Sequence, residues 1–92
     1  MVGKMAVSKA GHDKKEVYVI VKEDQTHVYL CDGRLKTIDN PKKKSKRHIQ
    51  IIKHHINEEL KAKLTSGAKV YDEEIKLVIK LWNRKSKEEN NV

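Results

Sequence analysis

The sequence predicts a mainly β protein: a small closed or half-closed barrel of five short strands, followed by two helices. Three observations carry this. Runs rich in Val, Ile and Tyr, each of strand length, crowd residues 3–53. An Asp-Gly pair, Asp32-Gly33, stands between two of them and marks a hairpin, because both residues tolerate positive φ. Beyond residue 55 the apolar spacing changes to the period of a helix.

The first strand is expected over residues 3–8, with Met5 and Val7 on one face and Lys4, Ala6 and Ser8 on the other. In the second, over 16–22, Val17, Val19 and Val21 alternate with Tyr18 and Ile20. Such continuous apolarity predicts a strand covered on both faces. The third covers 27–31, where Val28 and Leu30 alternate with Tyr29, and the fourth 34–38, past the Asp-Gly turn. The fifth covers 48–53 with Ile49, Ile51 and Ile52. Five short strands with tight turns suit a small barrel.

Each helix opens on a cap residue and two glutamates, Asn57-Glu58-Glu59 and Asp72-Glu73-Glu74. Asn and Asp accept from the free N–H groups of a first turn, and the glutamates suit the positive end of the helix dipole. Gly67 is a natural stop for the first helix. The second is expected from Glu73 to Arg84, with Ile75, Val78, Ile79 and Trp82 along one side. Leu77 and Leu81 widen that stripe to about 200°, more than one packed face requires. The barrel is assigned 1–55, a helical extension packed on the barrel or a partner 56–85, and a disordered tail 86–92.

With 92 residues, a single domain is expected and a large enzyme with a deep pocket is not. No stretch approaches the apolar length of a transmembrane helix, and the first residues lack a signal-type apolar run. A cytoplasmic protein without membrane contact is expected. Cys31, the single cysteine, allows no internal disulfide. It is expected to be a small strand residue. His48, His54 and His55 lack partners at a familiar ligand spacing, so neither metal nor cofactor is predicted. No Ser/His/Asp set, P-loop or acid pair stands out; the glutamate pairs belong to helix starts. No enzymatic activity is expected.

Charge is the main clue. The chain has 21 Lys and Arg against 13 Asp and Glu, a net +8, which favours a polyanionic partner. The excess sits in the first 55 residues. Two segments stand out. The connection between the first two strands holds Lys9, Gly11, His12, Lys14 and Lys15; a glycine there permits close backbone approach, and exposed N–H groups accept a phosphate. Residues 42–47 hold Lys42, Lys43, Lys44, Lys46 and Arg47, a run expected to act as a loosely held electrostatic patch. Arg34, beside the Asp-Gly turn, completes the expected phosphate-contacting set. Tyr18 and Tyr29 are expected to fill the core or cover the barrel face, so base-specific reading is unsupported.

The stretch VGKMAVSKAGHDKKEVYVIV resembles a KOW motif: an apolar strand, a Ser-x-Ala-Gly-x-Asp-Lys loop, then a Val-rich strand. The motif covers residues 2–22, and the likeness continues weakly through Asp32-Gly33 and PKKKSKRHIQII. Lys15 departs from it, standing where many such motifs carry a second glycine. The chain is similar to small bacterial KOW-domain RNA-binding proteins and to KOW-type ribosomal proteins of the large subunit. The resemblance implies a five-stranded SH3-like barrel and RNA contact through Gly11 and its neighbours Lys9, His12, Lys14 and Lys15. It says nothing of the two helices.

Together these features predict a non-catalytic RNA-binding protein, associated with the ribosome or acting in translation, with ribosomal RNA the foremost partner. The alternative is an SH3-like adaptor that uses the wide apolar second helix for protein contact or self-association. An aromatic-lined peptide groove is hard to assemble from Tyr18, Tyr29, Tyr71 and Trp82.

Overall fold

A computed structural model describes residues 1–9 and 16–90, the side chains of 53–56 and 85–90 excepted. Five strands come first: β1 (Lys4–Ser8), β2 (Val17–Glu23), β3 (His27–Cys31), β4 (Lys42–Ser45) and β5 (Ile49–Ile56). One 3-10 turn, Lys46–His48, joins β4 to β5. Helices α1 (Glu58–Ser66) and α2 (Asp72–Asn90) follow. The strands form one antiparallel curled sheet, a half-barrel, in the order β4-β3-β2-β1-β5.

Strand alternation divides the apolar residues into two layers. Ala6, Tyr18, Ile20, Val28, Leu30 and Ile49 fill the inside of the curl. Met5, Val19 and Cys31 face the other way, against Leu60 of α1, Val70 of the connection and Ile75 of α2. β2 contributes to both layers, as its unbroken apolar run predicts. Val78, Ile79 and Trp82 extend the α2 contact, while Leu77 and Leu81 stay exposed. The wide stripe of α2 therefore has one covered side and one open side.

The caps of α1 follow the sequence. The Asn57 side chain accepts from Leu60 N–H, and Gly67 ends the helix at φ 77. At α2 the expectation needs correction. Asp72 is already helical, and its carboxylate accepts the Ile38 N–H at 2.9 Å. Glu74 takes over the local capping, accepting from Tyr71 N–H at 2.9 Å. The Lys63 ammonium donates to Glu74, clamping α1 to α2. No Gly or Pro follows Gly67 to stop α2, which continues past Arg84.

The fourth strand is the main correction. Residues 34–38 do not join the sheet. Asp32 captures that segment instead: its carboxylate accepts from Arg34 N–H at 2.8 Å and Lys36 N–H at 2.9 Å. The side-chain bonds close a compact turn in place of a ladder. The outer strand is formed by the lysines after Pro41. Lysines suit an edge strand, where their charge discourages pairing with another chain.

Candidate nucleic-acid interface

The basic run is therefore not loosely held. β4 pairs with β3 through Leu30↔Lys42, Tyr29↔Lys43 and Val28↔Lys44. Alternation separates the three lysines. Lys42 and Lys44 lie opposite the inward residues Leu30 and Val28; Lys43 lies opposite Tyr29 on the other face. The Lys44 ammonium donates to the Ser8 hydroxyl at 2.7 Å, and Lys46 pairs with Glu23 at 3.1 Å. In the 3-10 turn the Ser45 hydroxyl accepts from Arg47 N–H at 3.3 Å. Lys43 and Arg47 are exposed.

Lys9 is brought to the same region. Its N–H donates to the His48 carbonyl at 2.9 Å, so the strand leading into the expected RNA loop ends beside the 3-10 turn. Lys9 is exposed. Gly11, His12, Lys14 and Lys15 lie outside the described residues. Arg34 is exposed on the loop that docks against α2 through the Ile38–Asp72 hydrogen bond.

Tyr18 is buried inside the curl, but Tyr29 is half-buried on the opposite face, outside the helix-covered cluster. Two lysines reach over its ring, Lys22 at 5.4 Å and Lys43 at 5.9 Å from the centroid. Each comes from a neighbouring strand. Lys22 arrives there because the β2–β3 register shifts between Ile20 and Lys22. Strict alternation would set Val21 opposite Tyr29; the bulge passes over Val21 and sets Lys22 there. A sequence carries no mark of such an insertion, so only the alternating Tyr29 itself was visible.

Cys31 is fully buried, and its thiol donates to the Thr37 carbonyl at 3.2 Å. Burial, with the nearby Asp72 and Asp32 carboxylates, pushes the thiol up to about 12. Such a group is no nucleophile at neutral pH. Among the described residues no three His, Cys, Asp or Glu side chains gather as a metal-binding group, and no helix is long and apolar enough to cross a membrane.

No protein-family model matches the chain, and no curated protein matches its sequence at a significant level.

Proposed function

We propose that this chain is a non-catalytic RNA-binding protein of the KOW type, associated with the ribosome or acting in translation. The observation that supports this most is the meeting of two basic segments distant in sequence. Lys9, at the mouth of the motif loop, is hydrogen-bonded to the turn that carries Arg47. Lys43 adds a third exposed cation on the adjoining strand. Cations spaced along an edge neutralise successive phosphates and release counterions, giving affinity without sequence readout. Lys44 and Lys46 have structural partners and contribute less to RNA. Gly11, His12, Lys14 and Lys15 would add donors from the motif loop.

Fractionation of a cell lysate over a sucrose gradient, at low and at high salt, tests this. Cofractionation with the large ribosomal subunit, lost at high salt, is the expected result. Migration with free protein at both salts would reject ribosome association. A second reading, protein contact or self-association through α2, draws on the exposure of Leu77 and Leu81 at 55% and 49%.

A further inference from the structure

We infer that Tyr29 is a stacking platform for one unpaired base of RNA, with Lys22 and Lys43 holding the phosphates on either side of it. The inference rests on the RNA-binding reading and extends it from phosphate contact to base contact.

Tyr29 is the aromatic ring of this sheet that stands clear of both cores. It lies on β3 with a lysine opposite on each flank, Lys22↔Tyr29 and Tyr29↔Lys43. A ring between two cations matches a nucleotide: an apolar π-face between two negative phosphates. Positive groups that track the backbone, with an aromatic for the base, are the common parts of a single-strand site. Asp24, a carboxylate whose charge acts on Lys43, is committed to its own turn. It accepts from His27 N–H at 2.7 Å, Thr26 N–H at 2.9 Å and the Thr26 hydroxyl at 3.4 Å. Its charge is therefore partly satisfied before any phosphate arrives.

The lysines over the ring do not block it. An exposed cation–π contact corresponds to about a two- to fivefold preference. Stacking of a base on an aromatic side chain corresponds to about five- to 150-fold. A base that displaces one ammonium therefore gains on balance, and the released ammonium moves to the adjoining phosphate. The Val21 bulge is what puts Lys22 within reach. Lys43 belongs equally to the basic edge, so the stacking site is continuous with the proposed phosphate track.

The test compares a short unpaired oligoadenylate with a blunt RNA duplex, using full-length protein. Tyr29→Leu is expected to lose about tenfold in affinity for oligoadenylate, the balance of the two effects, and several times less for duplex. Tyr29→Phe is expected to recover most of that loss, because the ring remains. Unchanged oligoadenylate binding by Tyr29→Leu, or an equal loss on both RNAs, overturns the stacking site while leaving the RNA-binding reading intact. Failure of the unmodified protein to bind either RNA overturns both. Should Tyr29→Leu not fold, photo-cross-linking of the unmodified protein to an unpaired RNA carrying one 5-iodouridine decides the matter. A cross-link on Tyr29 supports the site, and cross-links confined to other residues overturn it.

Discussion

The Lys44 ammonium donates to the Ser8 hydroxyl at 2.7 Å, linking β4 to β1 although β3 and β2 lie between them in the sheet. Ser8 is 3% exposed, so this bond is made inside the curl. One lysine of the basic run thus serves the fold. Lys44→Ala is expected to lower stability by about 1–2 kcal/mol, the range for a hydrogen bond with a charged donor at a half-exposed position. Arg47→Ala is expected to stay within about 0.5 kcal/mol of the parent, as surface substitutions do. Urea midpoints of the two variants measure the difference.

Gly33 anchors the β3–β4 connection. It has φ 80, and a Cβ there would stand 2.5 Å from the Asp72 carbonyl oxygen and 2.8 Å from Lys76 Cγ. Gly67 also has positive φ, with nothing within 4 Å of its Cβ position. Gly67→Ala should therefore cost only the left-handed conformation, about 1 kcal/mol. Gly33→Ala should cost more, roughly 2–4 kcal/mol, since backbone at the first turn of α2 must also move. Equal urea midpoints for the two variants would show that the loop does not dock on α2.

Much of this arrangement is legible in the chain. The alternation around Val28 and Leu30 marks β3 to the residue, and Asn57 and Gly67 mark both ends of α1. What failed was the fourth strand, for one local reason and one long-range reason. Residues 34–38 have strand-like composition, but the Asp32 carboxylate takes two of their N–H groups and Asp72 takes that of Ile38. With those donors occupied, the next available segment, the lysines, became the outer strand. The position of Lys22 opposite Tyr29 depends on a bulge, which no periodicity records. The basic character of the region was visible; which cations stay exposed and which brace the sheet was not.

Leu77 and Leu81 should be dispensable for the fold. Ile75 is fully buried on the sheet side of α2, whereas these leucines are about half-exposed on its open side. Leu77→Glu with Leu81→Glu should change stability by less than about 1 kcal/mol. The same double variant should alter self-association or partner binding, read by sedimentation velocity and by gradient cofractionation. Ile75→Ala should cost about 2–5 kcal/mol. A double variant that unfolds would assign both leucines to the internal core.

Cys31 should report global stability at high pH. Its ordinary value of 9.0 is raised to about 12 by burial and then by the charges of Asp72 and Asp32. The folded state keeps the thiol protonated where the unfolded chain ionises it. This contribution is complete below about pH 9 and is lost as pH rises toward 12. At pH 8 the folded thiolate fraction is about one in ten thousand. Labelling by a thiol reagent at that pH should therefore follow unfolding, accelerating with urea. Rapid labelling of the folded protein would contradict the burial of Cys31.

The most direct test of the RNA-binding account is the dependence of RNA affinity on salt for the unmodified protein and for Lys9→Gln, Lys43→Gln, Arg47→Gln combined. These three side chains are exposed on the proposed edge. About 0.7 of log–log slope is expected per phosphate contact on unpaired RNA, so the triple variant should flatten the slope by about 2. A control with Lys44→Gln alone should leave the slope within about 0.3 of the parent, because Lys44 bonds Ser8. A steep slope that the triple variant reproduces unchanged would mean that RNA binds elsewhere, and a flat slope in the unmodified protein would contradict electrostatic RNA binding altogether.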